Sequence, residues 1–543
     1  MIEKDGVYEI EITDISTQGK GIGRVFGMVV FVPELVPGDK ASVRITKIDK
    51  NFAHGFCEIL IEPSKDRKPA PCPYFECCGG CQLQNISYEA QLRLKMKQLD
   101  DKLKRIYGGT VSHQEMIVGM EHPWEYRNKA EFAVSAGRAV MRKDGSISNS
   151  EPAVVGFYDN TSRHIIDCEN CMIQSPVAAK AAQALRDFIA ASGISVYDEK
   201  NGKGRLRKMI VRIGAESREV MVVLVINGNK FKQKQLLADL MYDAIDELNF
   251  EAEVDSDSPK YELVSLQVNY NTGKSAAVPG KKTELIYGKP VITDTAADLK
   301  FEISPFSFYQ VNSEQMIKLY DTVLEFAELT GTETVFDLYC GVGTIGMYMA
   351  KQAKYVWGIE AVHSAVLDAN RNAMINGLVN IRFLEGKSEE KIFELLDGIA
   401  VGDAIDASSK FEDGKSFAIT PDIVVLDPPR AGCKPELLYA VRRAAPQRII
   451  YVSCDQGTLA RDLKILSGLA DSDENASSYE SPTVEIPASY KIERIRQIDQ
   501  FCQTLHVEVI TLLSKLDSKK YISVELPLDD MDLTSAESKA TYK

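Results

Sequence analysis

The hydrophobic rhythm of the 543-residue chain changes several times along its length. Residues 1–62 alternate β-branched and polar positions in short runs (VYEIEITDIS, MVVFVPEL, KASVRITKID, AHGFCEILI) separated by Gly and Pro turns. That spacing predicts a small β-barrel. From Ser87, Leu92, Met96, Leu99 and Leu103 recur at helical spacing, and Gly108–Gly109 supplies a stop. Residues 123–300 return to strand-like runs such as KAEFAVS, AVVGFYD, KMIVRIG and EVMVVLVIN, with a helical stretch over 175–192, the pattern of an α+β domain. From Phe301, the apolar runs TVFDLYC, YVWGIE, DIVVLD and RIIYVSC lie between helical segments and predict a parallel, doubly wound sheet. The expected fold is multidomain: a barrel over 1–62, a central α+β domain over 63–300, an α/β Rossmann-like domain over 301–526 and an acidic tail over 527–543. Polar stretches 401–418 and 467–489 read as surface insertions.

Charge changes this picture little. The net charge is −14, which argues against a nucleic-acid partner. Yet residues 243–259, 471–485 and 525–532 hold sixteen acids and no base, and without them the chain carries +2. These stretches read as solvated loops and tail, so a local basic face remains open. One candidate is the run of six Lys and Arg between 93 and 105, whose plain reading is a solvated helix face. No apolar run approaches the ~20 residues that span a bilayer, and the N-terminus lacks a charged start followed by an apolar stretch. A cytoplasmic protein without membrane contact is expected.

Of eleven cysteines, four lie between 72 and 81 and two more at 168 and 171. In a large chain without a secretory signal, such clustering points to metal binding or catalysis rather than disulfides. Cys72, Cys78 and Cys81 have the spacing C-x5-C-x2-C in PCPYFECCGGCQLQ, with Cys77 as a further neighbour and Cys168 or Cys171 available as a fourth ligand. Soft thiolates suit zinc or an iron–sulfur cluster, and spacing leaves both open. A group of reduced, buried cysteines is the simpler alternative.

A second constellation lies further on. TVFDLYCGVGTIGMYMA is an apolar strand, Asp337, and then Gly341, Gly343 and Gly346 opening a helix. Glycines let the backbone turn sharply and approach a ligand. Glu360 follows at the end of the next apolar strand, where a carboxylate accepts hydrogen bonds from ribose hydroxyls. NAD and S-adenosylmethionine compete for such a loop, and Asp337 ahead of the glycines favours the latter. Asp427 and Cys454 end the next two apolar strands, at the sheet edge where ligands bind. Cys454 is a candidate nucleophile, Cys340 is its rival, and Glu508, which opens a later apolar strand, is a candidate base.

The ordered motifs SFYQVN, DLYCGVGTIG, GIEAV, NAMINGLVNIRF, LDPPRAG, YVSCDQGTLARDL and TLHVE resemble those of bacterial uracil-C5 RNA methyltransferases. The N-terminal barrel resembles a TRAM domain, an OB-like RNA-binding barrel, in which Lys20, Arg24, Arg44 and Lys47 would meet phosphates. Together with the cysteine cluster it makes the chain similar to the 23S ribosomal RNA branch of that family; the tRNA branch generally lacks both. The resemblance covers roughly residues 1–516.

It implies Cys454 as the nucleophile on uracil C6 and Glu508 as the base that removes the C5 proton. Gln310, Tyr339, Gly341, Gly343, Glu360 and Asp427 would line the site for S-adenosylmethionine and uracil. Cys72, Cys78, Cys81 and Cys171 would hold a [4Fe–4S] cluster, and a monomer acting on 23S ribosomal RNA is expected. A tRNA uracil methyltransferase and a non-catalytic RNA-binding iron–sulfur protein are the alternatives. The chain departs from the family pattern at Asp455, where Asn is frequent, and at Cys502–Gln503, where Pro–His is common.

Overall fold

The computed structural model describes residues 2–137, 140–141, 147–148, 153–252, 260–273, 279–397, 418–470 and 488–516. The insertions expected over 401–418 and 467–489 fall largely, and the acidic tail entirely, outside them. Among the described residues, no helix is long and apolar enough to cross a membrane.

The first five strands, Val7–Ile15, Gly21–Val25, Met28–Val32, Lys40–Ile48 and Phe52–Glu62, form a closed barrel. Every second residue points inward, so Ile10, Ile12, Val30, Val32, Val43 and Ile45 are buried in one small core. Closure removes the edges that so short a sheet would otherwise expose.

The middle of the chain builds a seven-stranded sheet in the order Ile165–Asp167, Ala153–Tyr158, Lys129–Ala136, Leu206–Ile213, Glu219–Ile226, Glu262–Tyr270 and Lys282–Gly288. All neighbours are antiparallel except Glu219–Ile226 and Glu262–Tyr270. A parallel pair needs a crossover, and helix Lys234–Ala252 provides it. That helix corrects one expectation: the first part of the acidic stretch 243–259 is helical, not loop. Helix Pro176–Ser192 packs beside it, burying Val177, Ala181, Leu185 and Phe188 against the sheet.

A third sheet has eight strands, ordered Ile381–Glu385, Tyr355–Glu360, Thr334–Leu338, Ile423–Leu426, Arg448–Ser453, Glu508–Lys515, Tyr490–Ile498 and Val111–Gln114. The first five are parallel and Glu508–Lys515 runs against them. Numbered from Thr334–Leu338, the first seven follow the order 3-2-1-4-5-7-6, a doubly wound sheet with an antiparallel seventh strand. The eighth comes from far upstream. Helix Tyr88–Lys102 accompanies it, and Leu99 and Leu103 share a core with Leu463, Leu466 and Ile492.

The six cations of residues 93–105 therefore do not form one solvated face. Lys95 is completely buried and pairs with Asp499 at 2.5 Å. Arg93 pairs with Asp66, Lys97 with Asp14 and Asp101, and Lys102 donates to Gln456. The helix is fastened by its charges on several sides.

Candidate active site

The glycine loop leaves strand Thr334–Leu338 through residues with positive φ: Tyr339 (65°), Gly341 (57°) and Gly343 (80°). At Gly343 a Cβ would sit 2.4 Å from the Phe383 ring, so glycine is required for space as well as conformation. Glu360 ties the loop to the next strand end: its carboxylate accepts from Gly341 N–H (3.1 Å) and Val362 N–H (2.7 Å). Both oxygens retain acceptor capacity. Tyr339 shapes the loop through its backbone, while its ring joins the apolar cluster of Leu437 and Tyr451. Cys340 is buried, and a Cβ on Gly358 would lie 3.0 Å from its sulfur, a packing role.

Cys454 and Glu508 meet by register. Ser453 pairs with Val509 across the antiparallel strands Arg448–Ser453 and Glu508–Lys515, which brings the next residue, Cys454, and Glu508 to the same end of the two strands. Glu508 is buried, and this, with the charge of Asp427, pushes its carboxyl up to about 8 against a smaller opposing effect of Arg430. Burial raises Asp427 to about 7. Asp337 rises to about 8 through burial and then the charges of Asp427 and Glu360. The Cys454 thiol is pushed up to about 11 by burial first and Glu508 second, with Arg430 opposing. Two carboxyls with raised affinity for protons, Glu508 and Asp427, thus act on one thiol. A carboxyl near 8 suits proton transfer at neutral pH.

The Asp427–Cys433 loop is held from behind by helix Gln456–Leu466. Asp462 accepts from Tyr451 (2.6 Å) and Cys433 N–H (2.8 Å), Arg461 donates to Ala431 O (3.0 Å), and Thr458 to Arg430 O (3.2 Å). Asp455 caps this helix by accepting from Gly457 and Thr458 N–H, both at 2.9 Å. A side-chain oxygen is all the cap needs, so Asp in place of Asn keeps the geometry.

Gln310 is buried, and its side-chain oxygen accepts from Gln500 (3.2 Å). Sequence reasoning missed this connection, and with it Asp499, Gln500 and Lys95. One signal was readable: Lys95 stands four residues before Leu99 and three after Leu92, on the apolar stripe of its helix.

The cysteines gather elsewhere. Cys72, Cys78, Cys81, Cys168 and Cys171 line a cavity of about 350 Å³. Cys77 is not among its lining; its thiol lies 3.4 Å from Tyr74 O. Burial pushes Cys78 up to about 11 and Cys81 up to about 12, whereas a hydrogen bond from Cys168 lowers Cys171. Among the described residues, no group of three or more His, Cys, Asp or Glu stands close enough to hold a single metal ion.

The family model for tRNA (Uracil-5-)-methyltransferase matches residues 280–516, and that for the TRAM domain matches residues 6–56. A protein named an uncharacterized RNA methyltransferase from Halalkalibacterium halodurans is 36% identical over 512 residues, 94% of this chain and 98% of its own length. Another so named, from Caldanaerobacter subterraneus, is 35% identical over 94% of this chain and 98% of its own length. Among solved structures, the Pyrococcus abyssi tRNA (uracil-54, C5)-methyltransferase in complex with S-adenosyl-L-homocysteine is similar with a TM-score of 0.63 and 27% identity. The likeness covers 93% of this chain and all of that one.

Proposed function

Since this chain belongs to the S-adenosylmethionine-dependent RNA (uracil-5-)methyltransferase family, we propose that it methylates C5 of a uridine in 23S ribosomal RNA, with Cys454 as nucleophile and Glu508 as base. The observation that carries this reading is the convergence of Cys454 with Glu508 and Asp427 at the strand ends next to the Ser453–Val509 pair.

Uracil C5 is a poor nucleophile. Addition of the Cys454 thiolate at C6 moves electron density onto C5, which then takes the methyl group. Glu508 next accepts the C5 proton, the C5–H electrons re-form the C5–C6 double bond, and the thiolate departs from C6. S-adenosylmethionine supplies the methyl group, with Gly341, Gly343, Glu360, Tyr339 and Gln310 as the residues that would hold it. Asp427 would meet the N3–H or O4 edge of uracil. Both faces of C5 and C6 must be free, so the base is flipped from its stack. On the barrel, Arg44 is already paired with Glu58 and Lys47 with Asp49. Lys20 and Arg24, with the ring cluster of Phe31, Phe52 and His54, are the stronger RNA contacts.

We further assign a [4Fe–4S] cluster to Cys72, Cys78, Cys81 and Cys171. Several half-buried thiols facing one cavity would repel one another as thiolates, and bound cations would offset that repulsion. A space of about 350 Å³ lined by these cysteines has room for a polynuclear cluster, whereas Zn–S bonds of ~2.3 Å would draw the ligands close together. Both candidate fourth ligands, Cys168 and Cys171, line this cavity, and the family resemblance favours Cys171. We read the protein as a cytoplasmic monomer, with domain limits at 62 and 300 except that residues 88–114 pack with the C-terminal sheet.

A tRNA uridine is the second reading, favoured by the Pyrococcus abyssi neighbour, whose likeness extends over 93% of the chain. Mapping tritiated methyl groups in RNA from cells lacking this protein decides between them: loss from 23S RNA supports the proposal, and loss from tRNA alone overturns its substrate. The covalent route is tested on 5-fluorouracil RNA, where fluorine cannot leave as a proton. Active enzyme should form a stable adduct through Cys454, and its absence refutes the route.

A further inference from the structure

The turn that leads into Glu508 is fastened at almost every residue, and its fastenings reach the cysteine cavity. Gln503 lies five positions before Glu508 and is fully buried with φ of +66°, a conformation glutamine keeps only where its surroundings hold it. Its carbonyl accepts the N–H groups of Gln82 (3.0 Å) and Leu83 (3.1 Å), the residues directly after Cys81. Its side-chain oxygen accepts from Gln91 Nε2 (2.9 Å), and its own N–H donates to Gln91 Oε1 (3.2 Å), closing a paired amide. Gln91 Nε2 also donates to Leu83 O (2.9 Å), so one amide grips both segments. Cys502 packs in a cluster that includes Cys81 and Cys171, and its carbonyl accepts from Tyr126 (2.9 Å). Upstream, Asp499 is held by Lys95 (2.5 Å) and Tyr88 (2.7 Å).

Cys454 follows a different strand and precedes its own capped helix. That helix also leans on helix Tyr88–Lys102, through Gln456 Nε2 to Lys95 O (3.4 Å) and Lys102 Nζ to Gln456 (3.1 Å). The Gln91–Gln503 clamp, by contrast, grips the turn before Glu508.

We propose that Gln503, clamped by Gln91, is a positioning residue for the proton-removal step, and that through Gln82 and Leu83 it links the cysteine segment to Glu508. This rests on the reading of Cys454 as nucleophile and Glu508 as base. Loosening the clamp leaves C–S bond formation and methyl transfer intact. It slows the step in which the C5 proton passes to Glu508, the C5–H electrons form the ring double bond and the C6–S bond breaks. The enzyme then stalls as a methylated covalent complex.

The test uses Q503M and Q91M in the full-length protein; Q91M leaves the turn's own residues intact and serves should Q503M fail to fold. On ordinary substrate RNA, turnover should fall about tenfold, the effect of one lost buried hydrogen bond. A denaturation-stable enzyme–RNA complex should accumulate in parallel. On 5-fluorouracil RNA, which never reaches proton removal, the rate of adduct formation should stay within about twofold of wild type. Equal slowing of both reactions, or of neither, overturns the proposal. Failure of the wild-type enzyme to form the fluorouracil adduct refutes instead the covalent reading beneath it.

Discussion

Two groups of cysteines in this protein share burial and differ in company. Cys454 is a single thiol at the end of a parallel strand, facing Glu508 and Asp427 with Arg430 alongside. The cavity of Cys72, Cys78, Cys81, Cys168 and Cys171 presents thiols to one another. Burial raises most of them, so the protonation state of an isolated thiol does not tell the two groups apart. The neighbours do. A lone thiol among proton-holding carboxyls has a partner for moving protons, whereas thiols facing thiols ionise together only where a cation offsets their charge. Chemistry is set by what each sulfur faces.

The largest expected effect separates the groups outright. Cys454→Ala should abolish methyl transfer, by at least about 10³-fold, with RNA binding in a gel-shift assay unchanged; normal turnover in this variant would erase the distinction. Glu508→Gln should lower turnover by about 10²–10⁴-fold while adduct formation on 5-fluorouracil RNA persists.

The same substitution has a stability signature. A carboxyl raised from the usual range to about 8 contributes stability that is complete below its unfolded value near 4.5 and lost as pH rises towards 8. Glu508→Gln should therefore melt above wild type at pH 8.5–9, in about that range, and the gap should close at acid pH. Activity runs the other way: Glu508 accepts a proton only when ionised, so wild-type turnover should climb as pH rises through about 8, with the Cys454 thiolate fraction climbing alongside. A flat profile from about pH 6 to about 9, a range that brackets that value, would sever base from site.

The finest test lies within the cavity. Cys171→Ser should lose iron and acid-labile sulfide, while Cys77→Ser and Cys168→Ser should retain them. Iron loss from Cys168→Ser alone would reassign the fourth ligand.

Much of this site was legible in the chain because parallel strands buried on both faces read as apolar runs, and whatever ends such a run lies at the ligand edge. Asp427, Cys454 and the glycine loop stand out for that reason. The pairing of Cys454 with Glu508 was not legible from periodicity, since register between strands more than fifty residues apart is set by packing; the ordered motifs, not the pattern, implied the pair. Lys95 was lost among neighbouring cations although it sits on the apolar stripe, because its partner Asp499 is 404 residues away. The acidic run from Asp243 was misread as loop because helix and solvated coil share the same composition when one face is exposed.

The eighth strand, Val111–Gln114, joins the sheet against Tyr490–Ile498, and Ser112 bonds to Ile492 across 380 residues. During synthesis the barrel and central sheet therefore emerge and close long before residues 88–114 find their place. Until Asp499 leaves the ribosome, Lys95 is a cation on an apolar helix face with no partner, and burying it alone would be prohibitively costly. The segment can complete its contacts only once residues 490–499 are available, so closure of this sheet edge carries a large loop-closure cost.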